Sequence, residues 1–113
     1  MLNVFVPETG IAVKLEIVHT KSSGYRLAHR RVVGWVTVGV DDGEGNITPT
    51  TIASTSRDVE NGTGSYSVVR LHNVDEYNAL TSRVDACNRA DMSKAATGAA
   101  AEKTMRKLCE VYL

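Results

Sequence analysis

The sequence predicts an α+β domain: an antiparallel meander of about five strands over residues 1–71, then two helices, about 73–95 and 98–112, packed on one face of the sheet. Three observations carry this. Apolar residues alternate with a period of two through the first part of the chain. Clusters of Gly, Asp, Asn and Pro punctuate those segments at turn-like intervals. After His72 the apolar spacing changes to three and four, the period of a helix face. A chain of 113 residues accommodates one domain and not two.

The first strand is "LNVFV", with Leu2, Val4 and Val6 on one face. The following "PETG" offers Pro7 early in a turn and Gly10 for a positive φ, so a tight hairpin is expected there. The second strand, "GIAVKLEIV", alternates most regularly. Ile11, Val13, Leu15 and Ile17 face one way, and Ala12, Lys14 and Glu16 face the other. "HTKSSG" reads as a loop. The third strand runs from Tyr25 to Val40, but its apolar phase changes across His29-Arg30-Arg31. One extra residue in a strand exchanges its two faces, so a β-bulge is expected there, with Arg30 and Arg31 on opposite faces and at most one of them beside Arg26. The odd face of the second strand and the Val32, Val36, Val38, Val40 face of the third are the expected core surfaces.

"DDGEGN" is a turn. The fourth strand, "ITPTTIAST", is β-branched, and Pro49 places it at a sheet edge or a bulge because proline cannot donate to a ladder. "SRDVENGTG" reads as a nine-residue loop and "SYSVVRL" as the last strand. Asn73 with Glu76 three residues on makes a capping-box-like helix start. Tyr77, Leu80, Val84 and Cys87 form the apolar stripe of the first helix. A break is expected near 95–98, before a second helix that turns Ala101, Met105, Leu108, Cys109 and Tyr112 inward.

Composition excludes several functions. Lys and Arg number 13 and so do Asp and Glu, so the net charge is zero. A protein held to nucleic acid mainly by phosphate contacts carries a positive excess. The charge is nevertheless segregated along the chain: Lys14, Lys21, Arg26, Arg30 and Arg31 crowd 14–31, and Asp41, Asp42, Glu44, Asp58 and Glu60 crowd 41–60. Cys87 and Cys109 have no CxxC or Cys/His companions and are expected as free, buried thiols. The N-terminal stretch lacks a basic segment before an unbroken apolar run, and no membrane-length apolar run occurs, so a cytoplasmic, reducing setting is expected.

No phosphate-cradling GxxxxGK[ST], dinucleotide fingerprint, GxSxG elbow or metal-ligand spacing is present; His19, His29 and His72 are scattered. No catalytic residues, cofactor or metal are therefore assigned, and a non-catalytic role is expected. A compact anionic ligand such as a nucleotide needs two or three arginines and an aromatic platform. The candidates are Arg26, Arg30, Arg31, Arg57 and Arg106, with Trp35 or Tyr66 as the platform. The expectation is thus a small binding protein, of the general character of a bacterial or phage accessory factor, that captures an anionic small molecule or an anionic surface. Nucleic acid ranks below these, and no membrane partner is expected. The alternative is a protein–protein inhibitor or assembly subunit acting through an apolar and arginine-rimmed patch of Tyr25, Leu27, Val33 and Trp35, with a homodimer or higher homo-oligomer expected.

Overall fold

The computed structural model describes residues 4–112. Five strands, β1 (Val4–Pro7), β2 (Ile11–Thr20), β3 (Gly24–Asp41), β4 (Ile47–Thr55) and β5 (Gly62–Leu71), form one antiparallel sheet, followed by helices α1 (Val74–Ala90) and α2 (Gly98–Cys109). Single 3-10 turns at Met92–Lys94 and Glu110–Tyr112 follow the two helices. No helix among the described residues is long and apolar enough to cross a membrane.

The long strand β3 is the spine. Its first part, Gly24–Arg31, pairs with β2, and β2 pairs with β5 on its other edge. Its second part pairs with β1 through Gly34–Thr37 and with β4 through Val32–Asp41. The expected hairpin at "PETG" is not formed. Partner residues on β3 fall steadily from Thr37 opposite Val4 to Gly24 opposite Thr20, so β1 and β2 run in the same direction. Residues 8–10 are an offset between two collinear strands, and Gly10 does not take a positive φ. The Glu8 N–H still bonds to the Val33 carbonyl at 3.0 Å, so the ladder on β3 is nearly continuous there. Leu2, expected on the first strand, lies outside the described residues.

The real reversals sit where glycine is needed. Lys21, Ser22 and Ser23 join β2 to β3, with Gly24 at φ 67° closing the turn. Gly43 and Gly45, at φ 84° and 88°, turn β3 into β4. The Asp42 carboxylate holds that turn, accepting bonds from the N–H groups of Glu44 at 2.7 Å and Asn46 at 3.2 Å. These bonds, the Glu44 one foremost, hold the Asp42 carboxyl below the usual carboxylate range.

The helices cover one face only. Val13, Leu15 and Ile17 of β2, Leu27 of β3, and Val69 and Leu71 of β5 meet Leu80, Val84 and Cys87 of α1 and Ala101, Met105 and Cys109 of α2. Met92, fully buried in the 3-10 turn, fills the gap where α1 ends. The odd face of β2 therefore is a core surface, as its alternation predicts. The valine set of β3 is not one core surface: Val32 is buried, but in a separate small cluster with Ala12 and Ala53, while Val36 and Val38 are half-buried and Val40 is exposed, and β3 meets the helices through Leu27 and half-buried Tyr25. The helices end too soon to reach that half of the strand.

Asn73 caps α1 by accepting the Glu76 N–H at 2.9 Å, and Glu76 reaches back to the His72 N–H at 2.8 Å, one residue earlier than in a standard capping box. Thr97 caps α2 in the same way through the Ala100 N–H at 3.1 Å.

Candidate functional site

The sheet face opposite the helices is uncovered, and strand parity decides which side chains stand on it. Across β2, β3 and β5 these are Lys14, Glu16 and Val18, Arg26, Ala28 and Arg30, and Tyr66, Val68 and Arg70. Arg31 is turned the other way, its guanidinium 5.5 Å from the Tyr77 ring of α1. Arg30 and Arg31 thus do point to opposite faces. The phase change lies two residues beyond the basic cluster: β3 is regular against β2 to Arg31, and its register against β4 shifts between Val32 and Gly34. Because of that shift Trp35 has odd parity like Leu27, yet it packs on the open face against Ala12, Val32 and Ala53.

The expected apolar patch of Tyr25, Leu27, Val33 and Trp35 does not exist as one surface. Tyr25 and Leu27 belong to the helix-side core, Tyr25 also stacking on His19 at 4.2 Å, while Trp35 is half-buried on the opposite face beneath Arg70. The bulge separates the two pairs.

The β4–β5 connection turns the open face into a site. β4 ends at Thr55 opposite Val32, beside β3, whereas β5 begins at Gly62 opposite Val18, beyond β2. Residues 56–61 must therefore cross two strands, and they do so away from the helices. The Asn61 carbonyl accepts the His19 N–H at 3.1 Å, anchoring the far end. Gly62 lies so close to Glu16 that a Cβ there would stand 1.9 Å from the Glu16 Oε2. Glu16 is buried at this crossing and bonded to Lys14 at 3.0 Å, and Lys14 in turn lies 4.5 Å from the centre of the Tyr66 ring.

Beneath the crossing segment is a cavity of about 650 Å³. Arg26 and Arg30 line it from the sheet and Arg57 from the loop, with Val18, Ala28 and Val59 as apolar wall. Asp58, Glu60 and Asp85 add carboxylates, and His29 and Asn88 complete the rim. Among the described residues none of the three arginines forms an ion pair. The Nε of Arg30 and the Nε1 of Trp35 are shielded from solvent and have no acceptor among the described residues. The cavity is thus lined by three arginines that form no ion pair among the described residues, and arginine is the residue type suited to grip a phosphate or carboxylate.

Asn88 shapes the rim. β4 stops at Val32, leaving the outer edge of Gly24–Arg31 without a strand. The Asn88 amide accepts the Leu27 N–H at 2.7 Å and donates to the Leu27 carbonyl at 3.0 Å. One side chain thereby supplies both bonds that a neighbouring strand would have made.

The other candidates, Arg31, Arg106, Trp35 and Tyr66, do not line the cavity, so it has neither of the expected aromatic platforms. Arg106 pairs with Glu102 along the exposed side of α2. Trp35 stands 5.4 Å beneath Arg70, which also pairs with Glu8. Arg70 was recoverable from sequence, since its parity opposes that of Val69 and Leu71. Asn88, His29 and Asp85 gave no comparable signal.

The thiols are poor nucleophiles. Burial pushes the Cys87 thiol up, and the nearby Asp91 carboxylate adds to this. Burial also raises Cys109, against the hydrogen bond with Ser67, which works the opposite way, and Cys87 adds slightly to the rise. Among the described residues no cluster of three His, Cys, Asp or Glu side chains could hold a metal ion.

Comparison with protein-family models, curated proteins and solved structures finds no match to this chain.

Proposed function

We propose that this protein is a non-catalytic binding protein that captures a compact anionic ligand, a nucleotide in particular, in the cavity between the open sheet face and the β4–β5 loop. The supporting observation is the meeting of Arg26, Arg30 and Arg57 around one cavity with no carboxylate paired to any of them. Arg30 and Arg57 approach from sheet and loop, so a phosphate between them also ties the loop down. The acids Asp58, Glu60 and Asp85 favour a ligand whose remainder donates hydrogen bonds, as a nucleobase or an amine does. The cavity suits one nucleotide better than a polymer, because the cations elsewhere on the open face, Lys14 and Arg70, are already engaged by Glu16 and Glu8. A small accessory factor of bacterial or phage type fits this reading.

Thermal unfolding in low salt with a panel of nucleotides and inorganic phosphates tests it. A ligand at 100 times its Kd stabilises by about 2.7 kcal/mol. A rise in Tm with at least one panel member, absent in Arg57→Ala, is expected. No rise with any member sinks the proposal.

One observation favours a second reading, that of an assembly subunit or protein–protein inhibitor. Val4, Phe5, Val6, Val33, Val40, Ile47 and Ile52 are all exposed on the three-stranded arm of β1, β4 and the end of β3. Apolar surface of this kind marks contacts between proteins, including copies of one chain. Light scattering over a concentration series separates a monomer from an oligomer built through the arm.

A further inference from the structure

A second concave surface lies on the helical side of the molecule. A groove of about 950 Å³ is lined only by residues from Arg83 to Val111, which belong to the two helices, their 3-10 turns and the α1–α2 connection at Asp91 and Ala95. Its apolar lining includes Ala86, Ala90, Ala100 and Leu108. Such short side chains let another backbone approach closely. Its charged lining is unbalanced: Arg83, Lys94, Lys103 and Lys107 stand against Asp91 and Glu110. None of the four cations forms an ion pair among the described residues.

We propose that this groove receives an amphipathic helix of a partner protein, one with an apolar stripe flanked by acidic residues. Size supports a helix: two turns, at ~10 Å diameter and ~5.4 Å pitch, occupy about 850 Å³. Apolar stripe against apolar groove is the usual way a helix docks in a cleft. The charge excess selects acidic flanks, because four cations around a desolvated groove repel any basic segment. It also argues against a second copy of this chain as the occupant. The solvent side of α2 carries Lys103, Arg106 and Lys107, so its insertion would set like charges together. The groove shares no lining residue with the arginine cavity and stands independently of it.

The test uses a synthetic peptide of about 15 residues, long enough for a helix, with leucines on one face and glutamates on both flanks. A second peptide has lysine in place of each glutamate. Both are titrated into isotopically labelled protein and followed by NMR. The glutamate peptide is expected to shift resonances of groove residues and to bind at least about tenfold more tightly than the lysine peptide, a difference of ~1.4 kcal/mol. The double variant Lys103→Glu, Lys107→Glu, whose sites are exposed and whose folding is checked by its amide spectrum, is expected to reverse that order, and Arg57→Ala to leave it unchanged. Equal affinity for the two peptides, shifts centred on the sheet, or no binding of the glutamate peptide overturns the proposal. So does concentration-dependent self-association that broadens the groove resonances without peptide.

Discussion

Replacing Asn88 with alanine removes both hydrogen bonds that finish the outer edge of β3 beside the cavity. Leu27 is almost fully buried, but its backbone faces a water-accessible cavity, so its orphaned N–H and C=O are not lost outright. A buried group left unsatisfied costs about 1–3 kcal/mol, and a group that water can rescue costs less. For the pair we expect a loss of about 2 kcal/mol, which at roughly 4 °C per kcal/mol lowers Tm by about 8 °C. Urea unfolding measures this directly, with the midpoint falling and the slope unchanged. Asn88→Asp sharpens the test. A protonated carboxyl offers one acceptor and one donor, as the amide does, whereas a carboxylate only accepts and faces the Leu27 carbonyl. Relative to Asn88→Ala, the aspartate variant should be more stable at pH 3 and lose that advantage as pH rises through the carboxylate range, about 4. A loss below about 0.5 kcal/mol for Asn88→Ala, or no pH dependence for Asn88→Asp, refutes the edge-capping account.

Gly62→Ala sets a Cβ against the Glu16 carboxylate, the end of a flexible side chain that can swing aside at the expense of its bond to Lys14, so we expect a loss of at most about 1 kcal/mol, which calorimetry checks. Gly34→Ala meets the Phe5 ring at 2.2 Å and the Val6 carbonyl at 2.8 Å, and should release β1 from β3, which amide exchange at Val4–Pro7 reads out. Burial first of all raises the Cys87 and Cys109 thiols, so the folded protein holds those protons more tightly than the unfolded chain does. The resulting stability is present at neutral pH and is lost as pH rises beyond about 8.5, which urea midpoints across that range measure. The same burial makes both thiols slow toward a thiol reagent at neutral pH until the protein is unfolded.

The α+β fold was legible because its signals are local. The alternation of β2, the glycine turns, the Asn73 and Glu76 cap, and the stripe of Leu80, Val84 and Cys87 each depend on residues within a few positions of one another. Pro49 was legible too: it lies on β4, an edge strand, where a missing N–H costs least. The misreadings involve residues far apart in sequence. "PETG" has hairpin chemistry, but β3 is long enough to pair with β1 and β2 in succession, so the chain keeps its direction. The phase change in β3 was visible, but its place, Val33 and not the arginines, is set by where β4 begins to pair. Nothing near Arg26, Arg30 and Arg57 announces that a segment joining β4 to β5 will cross the sheet and bring Arg57 above the other two. Strand order decides that, and strand order is not a local property.

Calorimetric titration of a nucleoside triphosphate into wild-type protein, Arg30→Ala, Arg57→Ala and Arg106→Ala tests the central claim most directly. Hydrogen bonds to charged groups are worth about 1.5–3 kcal/mol each. Loss of either cavity arginine should therefore weaken saturable binding at least about tenfold, while Arg106→Ala, on the far side of α2, should match wild type. No saturable binding to wild type, or equal losses in all three variants, would contradict the claim.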